Sequence, residues 1–564
     1  MSALRRRVRR WRVARRLRHV RLNVIARTSG HQDLTPIVEA DDVPWREVLT
    51  WAESGPRVLI ATNIGGHFGL AGIDRLLAVA LTLRGAKITT VLCDGVLPAC
   101  QMCEFDLVAA PAAFARQGPD HTLCAYCHGP ACGAVSRLGL AVRRLSSVLT
   151  SADEQEAQSV AEGLNADQIE SFRWNDLPVG EHAAAGALRY YARSEIRSEP
   201  AAERILRRYL IASILTARAY DRVIEQTAPE VMVAHHGIYV PQGIAAAVAR
   251  SRGVRVVTWN PAYRRHCFIF SHDDTYHQTM MTEPVALWRD RPLSAAEGKR
   301  IRAYLESRRD GRNDWIIVHH AASLQPLNGI ADLALDPAKP VVLLLTNVFW
   351  DAQLHYRTNA FRNQGDWLVR TIAWFANRPD LQLVVRIHPA EVTTVPAARQ
   401  RAAAEIEAAF PRLPGNVRVI GPESAISTYA LARLANSAII FATKTGVELA
   451  CEGLPVIVAG EAWVRNKGLT FDAHSEADYF RLLAQLPFAS RLDEQTIELA
   501  ERYANHFFFG RMIPLEMVDS VSSPRRFNVT ARNRTALKPG SSVGLDVICR
   551  GILNGEPFIM PPLG

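Results

Sequence analysis

Five short apolar runs recur between residues 341 and 460: VVLLLTNV, LQLVVRIHP, NVRVIG, SAIIFAT and LPVIVAG. Helix-patterned segments separate them: WLVRTIAWFA, AARQRAAAEIEAAF, ISTYALARLA and GVELACE. Strands that are apolar throughout have no face to leave in water. The pattern therefore predicts a parallel sheet covered by helices on both sides.

The N-terminal half begins with the same rhythm. From Pro56 the chain reads strand RVLIATN, glycine loop IGGHFG, amphipathic helix to about Leu83 and strand KITTVLCDG, a βαβ opening of the doubly wound kind. A cysteine-rich insertion (93–132) and a helical region (much of 150–228) follow, and then the rhythm resumes with EVMVAHHG, PQGIAAAVARSRG and VRVVTWN. A chain of 564 residues exceeds what one core supports. We expect two Rossmann-like α/β domains, 45–310 and 335–515, facing each other across a cleft. The weakly periodic stretch from about Arg308 to Lys339 would join them. The tail 518–564, polar and rich in breakers, is expected to be partly disordered.

The formal charge of +10 is local. Residues 1–30 hold eleven arginines and no acid, which leaves 55 basic against 56 acidic residues for positions 31–564. Val8, Trp11, Val13, Leu17 and Val20 form a rough apolar stripe among the arginines. Such an arm suits an anionic membrane surface, each basic side chain there contributing about 1 kcal/mol. A solvated tail has the same composition. A nucleic-acid arm would need the same charge, but no recognition module follows, and no nucleic-acid partner is expected. No secretory signal and no run of about 18 apolar residues is evident, so the expected location is cytoplasmic, at most peripheral on the membrane.

Ligands of open α/β sheets bind beyond the carboxyl ends of the strands. Arg386, His388 and Glu391 of VRIHPAE occupy one such end. Thr443, Lys444, Thr445 and Gly446 of FATKTG occupy another, ahead of a helix whose unpaired N–H groups favour a phosphate. Glu448 has two readings. It completes a Thr-x-x-Glu capping box with Thr445, or it faces the cleft and takes a ribose hydroxyl.

The segment from about Thr346 to Phe480 resembles the capsule polysaccharide biosynthesis glycosyltransferases, a Kdo-transferase-like group of GT-B architecture. The resemblance rests on TNVFWD, VRIHP, the Ser427-Thr428 region, TKTGVELACEGLPVIVAG and WVRNKGLTFD in that order. It implies a GT-B-like pair of domains and an inverting transfer without a catalytic metal. It also implies His388, Thr443 and Thr445 at the donor phosphate, Glu448 near the ribose, and a CMP-sugar donor. Lys444 departs from the group's adjacent hydroxyl pair, which leaves UDP and GDP donors open.

Transfer also needs a base to deprotonate the acceptor hydroxyl. Asp94 in CDG, His67 in NIGGHFG and His235-His236 in VAHHG each lie at a strand end of the first domain. The resemblance favours Asp94, whereas a turn aspartate before Gly95 is the plainer reading. Gly65 and Gly66 suit close approach of an acceptor, since the full dinucleotide fingerprint is missing. Cys100-x-x-Cys103 and Cys124-x-x-Cys127 have the spacing of a four-thiolate structural zinc site. Cys93, Cys132 and His128 are spare ligands, and an iron–sulfur cluster is the alternative.

The expected function is transfer of a sugar from a nucleotide-sugar to a surface polysaccharide or its lipid-linked primer. A nucleotide-sugar epimerase of similar architecture and a non-catalytic component of polysaccharide assembly are the other readings.

Overall fold

The computed structural model describes residues 17, 20, 30–309, 313–314, 331–351, 359–393, 397–521 and 527–562. Most of the basic arm, and most of the stretch expected to connect the domains, lie outside the described residues. The chain divides into two units. The first comprises Met1–Tyr191, Glu195–Tyr276 and Ile513–Met560; the second comprises Ala192–Ser194, His277–Met512 and Pro561–Gly564.

In chain order the first unit contributes β1 (Arg57–Asn63), β2 (Lys87–Leu92), β3 (Ala141–Arg144), β4 (Val231–His235), β5 (Arg255–Pro261) and β6 (Cys267–His272). The second contributes β7 (Val341–Leu345), β8 (Gln382–Arg386), β9 (Val417–Ile420), β10 (Ser437–Ile440), β11 (Val456–Val458) and β12 (Phe471–Asp472). The chain then returns to the first unit with β13 (Ile513–Pro514).

The first sheet has the order β3-β2-β1-β4-β5-β6-β13, parallel from β3 to β5 and antiparallel at β6 and β13. Its central strand is buried from Val58 to Asn63. Helix Phe68–Thr82 crosses from β1 to β2 and is buried on nearly all sides, as covering such a strand requires. The 26-residue helix Ala202–Thr227 buries Ile205, Tyr209, Ile214 and Tyr220 in the same core.

The second sheet has the order β9-β8-β7-β10-β11-β12 and is parallel throughout. Helices Gln364–Ala376, Ala402–Ala409, Thr428–Leu434 and Thr445–Cys451 make the successive crossovers. Asn363 starts the first of them by accepting the Asp366 N–H at 2.9 Å, the bond an N-cap supplies. Both units thus share one doubly wound topology. After its third strand the chain returns to the first strand's other side, and the connections on either side of that gap leave in opposite directions, opening a crevice. The crevice of the first unit lies beyond β1 and β4, and that of the second beyond β7 and β10.

The described residues of the polar tail 518–564 carry regular structure, whereas 522–526 and 563–564 of it lie outside the described residues. β13 pairs with β6, Val518–Ser520 and Phe527–Val529 form a hairpin, and helix Val543–Asn554 buries Leu545, Val547, Ile548, Cys549 and Ile552. Its polar residues serve as ties. Asp546 pairs with Arg84, the carbonyls of Ile552 and Leu553 accept Arg255 at 3.0 and 2.9 Å, and Gln32 makes two bonds of 2.7 Å with Val529. Each fully buried aliphatic side chain contributes about 1.5–3 kcal/mol, against a total stability of about 5–15 kcal/mol for a domain. Truncation after Met512 should therefore unfold the first unit. Circular dichroism and proteolysis would check this; a truncated chain with an unchanged melting profile would show the segment to be dispensable.

Candidate functional site

In the second unit, the crevice beyond β7 and β10 gathers residues from three strand ends. Thr346 follows β7, and its Oγ1 accepts the His388 backbone N–H at 3.0 Å. The Asn347 amide donates to the Ala442 carbonyl at 3.2 Å, tying the two strands that flank the switch. Thr443 and Thr445 lie next, with their hydroxyls 3.2 Å apart. The half-buried His388 ring accepts the Ala390 N–H on Nδ1 at 3.0 Å, so its neutral form carries the proton on Nε2 as a donor. Of the expected donor-site residues, His388 lies past β8 and Thr443 and Thr445 lie past β10, the two strands that flank β7.

Arg386, Glu391, Gly446 and Glu448 are committed elsewhere. The Arg386 guanidinium is buried and donates to the carbonyls of Ile387 and Ser424 at 3.1 Å each and to that of Gly421; burial lowers its pKa to about 10. It clasps the loop after β9. Glu391 is buried and accepts the first N–H of helix Ala402–Ala409 at 2.9 Å, and burial raises its pKa. Gly446 owes its lack of a side chain to packing, since a Cβ there would lie 2.7 Å from Ile440 Cδ1 and 3.0 Å from Val464 Cγ1.

Glu448 makes neither the capping box nor a cleft-facing contact. At 3% exposure its Oε1 takes Arg308 Nε at 2.8 Å and Lys444 Nζ at 2.9 Å, and its Oε2 takes the Tyr429 hydroxyl. Arg308 also binds Asp314 and the Tyr304 hydroxyl, the latter at 3.1 Å. Burial alone would raise the Glu448 pKa. The two cations and the hydroxyl outweigh it and bring the carboxyl down to about 2. Lys444, whose pKa burial lowers, directs its ammonium to this carboxylate. The helix Thr445–Cys451 is thus fixed by an internal ion cluster.

In the first unit, Asp94 lies just past β2, where it accepts the Ser146 backbone N–H at 3.2 Å and the Ser146 hydroxyl. His67 occupies the N-cap position of helix Phe68–Thr82 without a capping bond from its side chain. His235 is buried, with Nε2 3.1 Å from Asn260 Oδ1. His236 has a left-handed backbone (φ 69°), and its Nδ1 is buried with no hydrogen-bond partner. Burial, reinforced by Arg189, lowers the His236 pKa to about 4, which keeps that ring neutral. Gly65 and Gly66 face the cysteine-bearing helix. A Cβ on Gly65 would lie 2.2 Å from Ala131 Cβ, and one on Gly66 would lie 2.9 Å from Met102 Cε. Packing on that helix accounts for Gly65, whereas Gly66 is crowded by the Met102 side chain of the preceding loop.

All nine cysteines are free thiols. Cys124 and Cys127 lie one turn apart on helix His121–Ser136, and Cys100 and Cys103 lie on the loop before it. Among the described residues no group of three or more His, Cys, Asp or Glu is arranged to hold a single metal ion.

Reasoning from sequence misses Thr346, Asn347, Tyr429 and Arg308, whose roles follow from strand order and from contacts across 140 residues of chain. It also misses Asp74, a lone acid in the apolar run GIDRLLAVALT. Asp74 is buried, accepts Trp259 Nε1 at 3.0 Å, and is raised by desolvation to a pKa of about 7.

No protein-family model and no curated protein matches this sequence. Similar solved structures include the beta-Kdo 2,4-transferase KpsC of Thermosulfurimonas dismutans, at 14% identity over 49% of this chain and 79% of that one, with a TM-score of 0.34. A beta-Kdo 2,7-transferase KpsC of the same organism aligns at 11% identity over 59% and 89%, with a TM-score of 0.31. The UDP-GlcNAc 2-epimerase of Neisseria meningitidis aligns at 12% identity over 79% and 97%, with a TM-score of 0.25. Likenesses this distant carry no residue roles to the present chain.

Removing one partner of a buried ion pair costs about 3–5 kcal/mol, because the remaining charge stays desolvated. Glu448→Gln should therefore lower the unfolding free energy of the second unit by about that much. If the donor site proposed below binds a nucleotide, that affinity, measured by calorimetry on the folded variant, should stay within about twofold, a change worth roughly 0.4 kcal/mol. A stable variant that has lost nucleotide binding would restore the ribose role.

Proposed function

We propose that the protein is a glycosyltransferase that moves a sugar from a nucleotide-sugar, with CMP as the favoured nucleotide, to a surface polysaccharide or its lipid-linked primer. The observation that carries this reading is the placement, at the ends of the two strands flanking β7, of the paired Thr443 and Thr445 hydroxyls past β10 and of His388, whose Nδ1 accepts the Ala390 N–H, past β8. These are neutral donors at the place where a doubly wound sheet binds nucleotides. Aimed at a phosphate oxygen, they would stabilise the charge that develops as the nucleotide departs, and that chemistry needs no metal. Asp94 is assigned as the base for the acceptor hydroxyl, its carboxylate oriented by Ser146, with His67 and His236 as the competing groups. Glu448, Arg386 and Glu391 support the site from behind.

A thermal-shift series with CMP-, UDP- and GDP-sugars tests the donor site, since a ligand that binds only the folded state raises its stability with occupancy. One nucleotide should stabilise the wild type, and the Thr443→Ala/Thr445→Ala double variant should lose at least tenfold in affinity, about 1.4 kcal/mol. Asp94→Ala should reduce acceptor-dependent nucleotide release by about 10²–10⁴-fold and leave donor binding intact. Stabilisation by no nucleotide would end the proposal. Release that is independent of acceptor, with inversion at the sugar's C2, would make the protein an epimerase.

The arginine-rich arm is assigned to an anionic membrane surface, where lipid-linked acceptors reside. Leu17 and Val20 of its apolar stripe are exposed. Among the described residues no helix is long and apolar enough to cross a membrane. In flotation with phosphatidylglycerol vesicles, deletion of residues 1–30 should abolish binding at low salt. Undiminished flotation of the deletion variant would remove the arm from membrane attachment.

A further inference from the structure

Charge changes sign abruptly near the start of the sequence. Residues 1–30 carry eleven arginines and no acid, whereas residues 31–56 carry Asp33, Glu39, Asp41, Asp42, Glu47 and Glu53 against Arg46 alone. The acidic block is packed on the first unit. Its helices Thr35–Glu39 and Trp45–Ala52 bury Ile37, Val38, Trp45 and Ala52, and the Trp45 indole N–H donates to the Leu138 carbonyl at 2.8 Å. The outer face of the block is partly apolar. Val43 is 49% exposed, Trp51 59% and, from the tail, Val543 56%. All three border the C-terminal end of helix Phe68–Thr82. The Trp51 ring lies over Gly85, where a Cβ would be 2.9 Å from its Cη2. Arg84 donates to the Leu537 carbonyl at 2.9 Å and pairs with Asp546, one turn along its helix from Val543. Arg534, in the same short helix as Leu537, donates to the Val43 carbonyl.

Cations bordering this face are largely paired within it: Arg84 with Asp546, Lys87 with Glu53, and Arg534 and Lys538 with Asp41. Glu39, Asp42 and Glu47 are exposed and have no cationic partner among the described residues. Glu47 stands one turn from Trp51 on the same helix. We propose that the arginine-rich arm of one chain docks on this Val43–Trp51 face of a second copy, so that the protein self-associates by reciprocal exchange of arms. Arm and face complement each other in charge and in apolar side chains, and guanidinium groups both pair with carboxylates and stack on indole rings. Two-fold symmetry makes every such contact twice. Within its own chain the arm leaves Leu17 and Val20 65% and 61% exposed, so the cover for its apolar stripe comes from outside. An anionic lipid surface is repelled by Glu39, Asp42 and Glu47, which excludes lipid as the occupant of this face. The same arginines cannot engage lipid and a second copy at once, and the two partners therefore compete. This surface does not depend on the sugar-transfer reading.

Sedimentation equilibrium of the full chain tests the proposal at about 0.1 M and about 1 M salt, between which the screening length falls from roughly 10 Å to 3 Å. The expected result is a concentration-dependent dimer whose dissociation constant rises about tenfold or more at the higher salt. Deletion of residues 1–30 should leave a monomer, as should the triple variant Glu39→Lys/Asp42→Lys/Glu47→Lys. Trp51→Ser should weaken the dimer about tenfold or more. The triple variant should still float with phosphatidylglycerol vesicles, which separates this surface from the arm's membrane role. A full chain that stays monomeric at every concentration would overturn the proposal, whether its arm is free or docked on its own chain. A dimer that survives either the deletion or the triple variant would overturn it too. Should the deletion variant fail to fold, the triple variant, altered only at exposed side chains, decides on its own.

Discussion

A parallel strand whose two faces are both apolar must be covered on both, and helical crossovers are the only short connections that do so. In each unit that requirement wraps helices on either side of a central strand, β1 or β7. Both sheets then reverse direction after the third strand. The crevice that follows is a by-product of covering the sheet. It collects strand-end residues that are far apart in sequence, and in the second unit these are Thr346, His388, Thr443 and Thr445.

Around that crevice the charged side chains are turned to structural work. Arg386 and Glu391 satisfy backbone groups of neighbouring loops, and Glu448 balances Arg308 and Lys444 in a site with almost no solvent. A buried charge without such partners would cost several kcal/mol, so each of these groups is held by more than one contact or by a well-placed backbone group. The buried charges near these strand ends are thus spent within the protein.

The first unit is organised by a different demand. The helix bearing Cys124 and Cys127 packs so closely on the loop after β1 that Gly65 cannot carry a side chain. The cysteine segment and the loop holding His67 are therefore one structural element.

Much of this was legible in the chain. The apolar runs gave away two α/β sheets, because burial on both faces leaves a periodicity that local sequence carries. The strand-end positions of His388, Thr443 and Thr445 were legible for the same reason. The partners of Glu448 were not, since Arg308 lies 140 positions away and local spacing suggested a capping box with Thr445 instead. Composition did not show that Arg84, Arg255 and Gln32, remote in sequence, tie down the described part of the tail. Sequence by itself determined which segments become strands and helices, because hydrophobic periodicity is local. Tertiary structure alone decided which charges, glycines and thiols meet, because burial forces each polar group to find whatever partner the folded chain brings near.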